Sequence, residues 1–121
     1  MITIVIPYYN RASFLGRTLD SVAAQTLRPL NVVLVDNGST DSSADIARQW
    51  RDANLAPDFR ITLAEELQRS PSAARNAGLA LVETPYVMFF DSDDIMLPEH
   101  CADMARAIAR SPQADIIGKS N

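Results

Sequence analysis

Three uninterrupted apolar runs are the feature that most limits how this chain of 121 residues can fold. They occupy residues 4–6, 32–35 and 87–90 and are rich in β-branched and aromatic side chains. Strands with one exposed face alternate apolar and polar residues, whereas strands covered on both faces can be apolar throughout. The runs therefore predict buried strands of a parallel sheet that has helices on both faces.

Two further apolar runs bring the number of predicted strands to five. The predicted strands are residues 2–7, 31–36, 59–63, 86–90 and 114–117. Between them, apolar residues recur at helical spacing, as Leu15, Leu19 and Val22 do in the first interval. The residues expected to begin the four helices are Ser13, Ser39 or Thr40, Ser70 followed by Pro71, and Pro98. Strands that alternate with helices predict one α/β domain over residues 1–121, with an open, mostly parallel sheet.

Charge and cysteine content exclude several classes of function. Eleven Lys and Arg against fifteen Asp and Glu give a net charge of −4, whereas a nucleic-acid binder needs a basic surface that displaces counterions. Cys101 is the single cysteine and cannot form an internal disulfide, so a reducing, cytoplasmic setting is expected. No apolar run approaches the about 20 residues of a membrane span. We expect no nucleic-acid partner, and membrane association at the inner face only through segments outside this chain.

Polar clusters directly follow three of the predicted strands, at residues 7–10, 36–41 and 91–94. Ligands of open α/β sheets bind beyond the carboxyl ends of the strands. The three clusters are therefore expected to lie along one edge of the sheet. Taken singly, each cluster also fits a plain turn that caps the next helix.

Asp91, Asp93 and Asp94 are the strongest chemical signal in the sequence. Three carboxylates so close together repel one another unless a cation or hydrogen-bond donors compensate their charge. Hard oxygen ligands of this kind suit Mg²⁺ or Mn²⁺. The alternative is a solvated turn in which Asp93 or Asp94 caps the next helix, because a lone Asp-x-Asp is a common chance match.

The other candidate residues suit the remaining parts of a nucleotide. Tyr9 can stack on a base, and Asp36 with Asn37 can present a carboxylate and an amide to the edge of a base. Arg75, near a helix start, is suited to a diphosphate. Each has an ordinary structural interpretation as well: Tyr9 as packing at the sheet edge, Asn10 as a helix cap and Arg75 as a surface arginine.

Four motifs in a fixed order resemble those of family 2 glycosyltransferases of the GT-A fold. They are ITIVIPYYN at residues 2–10, VDNGSTD at residues 35–41, ARNAG at residues 74–78 and FFDSDDIMLP at residues 89–98. The resemblance implies an inverting enzyme of polysaccharide biosynthesis. Such an enzyme moves a sugar from a nucleoside-diphosphate sugar, here with UDP or dTDP favoured, to a saccharide or lipid-linked acceptor hydroxyl. It also implies Mn²⁺ or Mg²⁺ as cofactor.

The resemblance also implies roles for individual residues. Those expected to bind the donor are Pro7, Tyr9, Asn10, Asp36, Asn37, Arg75, Asp91 and Ser92, and those expected to bind the metal are Asp93 and Asp94. The chain departs from the family at Asn37, where a second aspartate is usual, and lacks the glycine common before Ala74. The general base and the acceptor site are expected beyond residue 121, so no catalytic residue is assigned. The chain is expected to be the donor-binding, C-terminally truncated part of the enzyme.

Two other functions remain open on the sequence. A phosphoacceptor receiver domain is an α/β domain of similar length with acidic strand ends and a lysine near the last strand, where this chain has Lys119. That fold needs an acid pair after its first strand, whereas this chain has Tyr8, Tyr9 and Asn10. The third possibility is a non-catalytic remnant that binds a nucleotide sugar.

Overall fold

The computed structural model describes residues 1–110 and the backbone of residues 118–119. In chain order the elements are β1 (Ile2–Tyr8), α1 (Ala12–Ala23), β2 (Leu30–Asp36), α2 (Ser43–Asn54), β3 (Phe59–Glu65), α3 (Pro71–Leu79), β4 (Tyr86–Phe89), α4 (His100–Arg110) and β5 (Gly118–Lys119). Strands and helices alternate as the sequence predicted. The strand expected at residues 114–117 lies outside the described residues.

The sheet has the strand order β3-β2-β1-β4-β5. Strands β1 to β4 are parallel, and β5 pairs with β4 in the antiparallel sense. The open, mostly parallel sheet is thus confirmed. The chain builds outward from β1 through β2 to β3 and then returns to the other side of β1 with β4. The carboxyl ends of β1 and β4 therefore flank a topological switch point, where open α/β sheets form a crevice.

Helices cover both faces of the sheet, as predicted. On one face, α1, α2 and α4 contribute Leu15, Leu19, Trp50 and Cys101 to a core that also contains Ile4. On the other face, α3 packs through Ala74 against the valines of the sheet, which are Val5, Val33, Val35 and Val87. The continuous apolar runs of β1 and β2 supply both cores because alternate residues of a strand point to opposite faces.

The first two helices begin at residues other than those predicted. The α1 helix begins at Ala12, so Ser13 is not its cap, and α2 begins at Ser43 rather than after residues 39–40. The carboxylate of Asp41 accepts a hydrogen bond from the backbone amide of Ala12 at 3.1 Å and from that of Ser43 at 2.9 Å. One aspartate therefore satisfies amides at the start of both helices, which local sequence spacing could not reveal.

The start of α3 is as predicted. The Ser70 hydroxyl accepts a hydrogen bond from the backbone amide of Ala73 at 3.3 Å, and Pro71 occupies the first helical position. The α4 helix begins at His100, two residues after the predicted Pro98. In the part of the chain that the structure describes, every helix is too short or too polar to cross a membrane.

Candidate functional site

A cleft with a volume of about 350 Å³ opens at the carboxyl ends of β1 and β4. It brings together most of the residues singled out from the sequence: Pro7, Tyr9, Asn37, Arg75, Asp91, Ser92 and Asp93. They come from four parts of the chain, namely β1 with the residue after it, the loop after β2, helix α3 and the loop after β4. The remaining lining residues are Tyr8, Arg11, Pro71 and Ala74. The predicted convergence of strand-end loops on one edge of the sheet is therefore present.

Asn10 does not line the cleft but joins two of the loops that form it. Its backbone has a positive φ of 50°, and its side-chain Oδ1 accepts a hydrogen bond from the backbone amide of Thr40 at 2.8 Å. The backbone amide of Asn10 donates to the hydroxyl of Ser39 at 3.0 Å. The loop after β1, which carries Tyr9, is thus fixed to the loop after β2.

Asp36 lies on the other side of β2 from the cleft. It is buried, and its Oδ1 accepts a hydrogen bond from the backbone amide of Ser39 at 2.8 Å. It lines a separate cavity together with Tyr8 and Arg48. Burial, and after it the Asp36 carboxylate, raises the pKa of the Tyr8 hydroxyl, which therefore stays neutral at physiological pH.

The side chain of Asn37 is buried and oriented by the connection between β3 and α3. Its Nδ2 donates hydrogen bonds to the carbonyl oxygens of Glu66 at 2.8 Å and Gln68 at 2.9 Å. Both amide hydrogens are thereby used, since a side-chain amide carries only two donors. The group that Asn37 can still offer to a ligand is the acceptor oxygen, Oδ1.

The three aspartates after β4 form a compact acidic cluster. Asp91, Asp93 and Asp94 are exposed, and each offers a carboxylate oxygen within 4.8 Å of the others. Asp94 does not line the cleft, but the cluster places its carboxylate beside the two that do. Among the described residues, none of the three carboxylates has an ion-pair partner. This donor set fits a hard divalent cation, since oxygen ligands suffice for it and the cation would offset the mutual repulsion.

Two side chains of helix α1 bind the loop between β4 and α4, which carries the three aspartates. The Thr18 hydroxyl donates to the carbonyl oxygen of the buried Ser92 at 3.0 Å. The Ser21 hydroxyl accepts from the backbone amide of Met96 at 2.9 Å. The loop between β4 and α4 is therefore fixed on both sides of Asp93 and Asp94.

The sequence did not single out two arginines that the structure places in or next to the cleft. Arg11 lines the cleft, and its Nη1 donates to the carbonyl oxygen of Tyr9 at 3.3 Å. Arg69 lies over the ring of Tyr9, with 3.7 Å between the guanidinium carbon and the ring centroid. Arg11 directly follows the polar cluster at residues 7–10, and this position could have indicated that it lies at the cleft. No local pattern pointed to Arg69, because its contact depends on how two distant loops pack.

Comparison with known families gives one match across nearly the whole chain. The family model described as Glycosyl transferase family 2 matches residues 3–120. The glycosyltransferase GlyA of Streptococcus pneumoniae is 36% identical over 115 residues, which are 95% of this chain and 16% of that protein. A validoxylamine A glucosyltransferase of Streptomyces hygroscopicus is 33% identical over 119 residues, which are 97% of this chain and 28% of that protein.

Two solved structures agree with this match. The TarS protein of Staphylococcus aureus, residues 1–349 in complex with UDP-GlcNAc, superimposes with a TM-score of 0.80 at 28% identity and covers 90% of this chain. The mannosyltransferase PcManGT of Pyrobaculum calidifontis, in complex with GDP-Man and Mn²⁺, gives a TM-score of 0.80 at 30% identity over 89% of this chain. This chain spans less than a third of the length of each of these four proteins.

Proposed function

The chain belongs to glycosyl transferase family 2, and we propose that it is the part of such an enzyme that binds the nucleoside-diphosphate sugar. The observation that carries the proposal is the common cleft formed by Tyr9, Asn37, Arg75 and Asp93. Tyr9 suits the face of a base and Asn37 its polar edge. Arg75 suits a diphosphate, and Asp93 suits a metal ion. The volume of about 350 Å³ falls within the range of small-molecule sites, about 300–1,000 Å³.

We propose that the base binds at the Tyr9 end of the cleft. Tyr9 offers an aromatic ring for stacking, and Pro7 lines the cleft next to it. The Oδ1 of Asn37 can accept a hydrogen bond but, with both amide hydrogens already used, Asn37 has none to donate. The imide N–H of uracil or thymine supplies the matching donor, so UDP or dTDP is the proposed nucleotide. The replacement of an aspartate by Asn37 thus leaves an acceptor at this position.

We assign the diphosphate to Arg75 and the metal ion to the acidic cluster. Arg75 lies in the helix that begins at the Ser70 cap, and it has no carboxylate partner among the described residues. Asp91 and Ser92 are assigned to the ribose side, and Asp93, supported by Asp94, to Mn²⁺ or Mg²⁺. When bound, that ion would offset the negative charge that develops on the departing nucleoside diphosphate.

The proposed reaction is transfer with inversion in the complete enzyme. An acceptor hydroxyl oxygen, on a saccharide or a lipid-linked saccharide, forms the new bond to the anomeric carbon from the face opposite the diphosphate. The bond from that carbon to the diphosphate oxygen breaks, the nucleoside diphosphate leaves, and a general base takes the hydroxyl proton. The described residues bind and orient the donor, and we assign none of them as the base. The proposed setting is the cytoplasm, where a buried free thiol such as Cys101 is stable, with an acceptor of polysaccharide assembly at the inner membrane face.

Against a receiver domain, the family model that matches residues 3–120 is that of glycosyl transferase family 2, and the chain continues after β1 with Tyr9, Asn10 and Arg11 rather than with an acid pair. A non-catalytic remnant that binds a nucleotide sugar would share the proposed cleft. Sugar transfer by the complete protein distinguishes the enzyme from the remnant.

The proposal is tested by isothermal titration of the chain with UDP, dTDP and GDP, first in Mn²⁺ and then in chelator. We expect UDP or dTDP to bind in Mn²⁺ more tightly than GDP, and the affinity to fall when the metal is removed. If none of the three nucleotides binds, with Mn²⁺ or with chelator, the proposed function is contradicted. Tighter binding of GDP would contradict the base assignment alone.

A further inference from the structure

The contact between Arg69 and Tyr9 joins two loops that are far apart in the chain. Arg69 belongs to the connection between β3 and α3, and Tyr9 to the connection between β1 and α1. The guanidinium carbon lies 3.7 Å from the centroid of the tyrosine ring, which is a cation–π arrangement. Tyr9 lines the cleft, and Arg69 is absent from its lining. The arginine therefore lies against the ring from outside the cleft.

The backbone next to Arg69 is fixed on both sides. The buried amide of Asn37 binds the carbonyl oxygens of Glu66 and Gln68, the residue directly before Arg69. Directly after Arg69, the hydroxyl of Ser70 caps α3. The hydrogen bonds of Asn37 and of the Ser70 cap therefore fix the backbone from which the Arg69 side chain extends.

The stem of Arg69 passes over the loop that follows β2. A Cβ atom placed on Gly38 would lie 3.9 Å from the Cγ of Arg69, so the arginine stem lies directly above this residue. Gly38 has a φ of +85°, a conformation that suits glycine because it has no Cβ. The Arg69 side chain therefore extends from the loop after β3, across the loop after β2, to the ring of Tyr9 in the loop after β1.

We propose that Arg69 is a positioning residue that holds the ring of Tyr9 in its base-stacking orientation, and that Asn37 holds Arg69 in place. The inference rests on the proposed function, because it concerns how the nucleotide base is received. A partly exposed tyrosine ring such as that of Tyr9 loses rotational freedom when a base stacks on it, and that loss weakens binding. A ring already fixed by an arginine on its outer side has lost this freedom before the ligand arrives. The base then takes the side of the ring that faces the cleft.

The contact itself is tested without ligand by NMR on the full chain. Protons of the Arg69 side chain are expected to be shifted upfield by the ring current of Tyr9, and the shift is expected to disappear in Tyr9→Leu. In Asn37→Asp the carboxylate has no N–H to donate and repels the two carbonyl oxygens, so the Arg69 shift is expected to shrink there as well. A shift that is absent in the wild type, or unchanged in Asn37→Asp, overturns the proposed arrangement.

Its effect on binding is tested by titration with UDP in Mn²⁺. Arg69→Ala is expected to weaken UDP binding by about two- to fivefold, the range of an exposed cation–π contact, and to leave the binding of inorganic pyrophosphate unchanged. In a Tyr9→Ala background the same substitution is expected to have no further effect, because the ring that Arg69 positions is gone. The matched control is Arg60→Ala, which removes an exposed arginine on β3 that forms an ion pair with Glu83 at 3.9 Å and does not line the cleft.

The outcomes separate this inference from the proposed function. If the wild type binds no nucleotide, the proposed function fails and this inference fails with it. If the wild type binds UDP and Arg69→Ala binds it equally well or more tightly, the inference alone fails, since tighter binding means that Arg69 blocks the base. An equal loss with and without Tyr9 also overturns the inference, because Arg69 would then contact the nucleotide directly.

Discussion

Gly78 lies so close to Val5 that a Cβ atom on the glycine would overlap the Cγ1 of that valine. The same atom would lie 3.1 Å from the Cγ2 of Val35. Helix α3 therefore rests on the sheet at a separation that only a residue without a side chain allows. Because this helix also carries Ala74 and Arg75, the glycine sets the distance between one wall of the cleft and the strands.

An added methyl group in a filled core displaces its neighbours at a cost of about 1–3 kcal/mol. The gain in helix propensity from glycine to alanine is about 1 kcal/mol and opposes this cost. Because the added Cβ would overlap Val5, we expect Gly78→Ala to destabilise the domain by about 1–2 kcal/mol in total. Urea denaturation followed by circular dichroism measures the change.

The control for this substitution is Gly16→Ala in α1. A Cβ atom at Gly16 would meet no atom within 4 Å, so only the propensity term remains. We expect Gly16→Ala to stabilise the domain by about 0.5–1 kcal/mol. Equal stability of Gly78→Ala and the wild type would show that α3 can shift away from the sheet.

The carboxylate of Asp41 links the starts of α1 and α2, and its contribution is expected to depend on pH. Hydrogen bonds from Ser43, and with them the backbone amide of Ala12, lower the pKa of Asp41 below its ordinary value of 3.8. A group with a lowered pKa in the folded state stabilises fully above the unfolded value and loses that contribution as the pH falls through the folded value. Asp41→Asn, which cannot accept both bonds as a carboxylate does, is therefore expected to be less stable than the wild type at pH 7.

The difference in unfolding free energy between the wild type and Asp41→Asn is expected to be constant from pH 7 to about pH 5 and to shrink below pH 4. Urea titrations at several pH values measure it. Asp58→Asn serves as the control, since the Asp58 carboxylate has no hydrogen bond or ion pair among the described residues. A difference that is the same at pH 3 and pH 7 would rule out the carboxylate as its source.

Cys101 is expected to be unreactive in the folded protein. Its side chain is fully buried, and burial raises the pKa of the thiol to about 11, an effect that Arg28 offsets only in part. At pH 8 only roughly one thiol in a thousand would be ionised, and the thiolate is the reactive form. A chromogenic disulfide reagent should therefore react slowly with native protein and rapidly in urea. Rapid labelling without urea would mean that α4 detaches from the sheet.

Strands β1, β2 and β4 were predictable because the burial of each is evident from its own residues. In β2 the segment from Val32 to Val35 is covered on both faces and is apolar without interruption, and that pattern is local. The starts of α1 and α2 were not predictable in the same way. Ala12 and Asp41 are 29 positions apart, so the cap of α1 exists only once the sheet has brought the two loops together.

The site was predictable to the same extent. Tyr9, Asn37 and Asp93 follow strands of one parallel sheet, and this topology alone brings them to a common edge. Asp36 is the last residue of β2 and Asn37 directly follows it, and of the two only Asn37 lines the cleft. Which of two adjacent residues at a strand end faces a cleft depends on how the following loop turns, and the local sequence does not show this. The contact of Arg69 with Tyr9 depends on side-chain packing between loops and has no counterpart in local sequence.

Asp93→Ala is expected to remove most of the gain in UDP affinity that Mn²⁺ provides. Asp93 lines the cleft and lies in the acidic cluster, so its loss removes an oxygen ligand at the point where the metal and the diphosphate would meet. The affinity in Mn²⁺ should fall by about tenfold or more, the effect of losing an interaction with a charged group. In chelator the affinity should stay the same or rise slightly, because one fewer carboxylate repels the diphosphate.

Titration calorimetry measures the UDP affinity of the same protein first in Mn²⁺ and then in chelator. Asp52→Asn is the matched control, because it removes an exposed carboxylate next to Arg51 in α2, outside the cleft, and should leave both affinities unchanged. An unchanged gain from Mn²⁺ in Asp93→Ala would remove Asp93 from the metal site. A loss that is equal with and without the metal would instead assign Asp93 a direct contact with the nucleotide, since a metal ligand acts only when the ion is present.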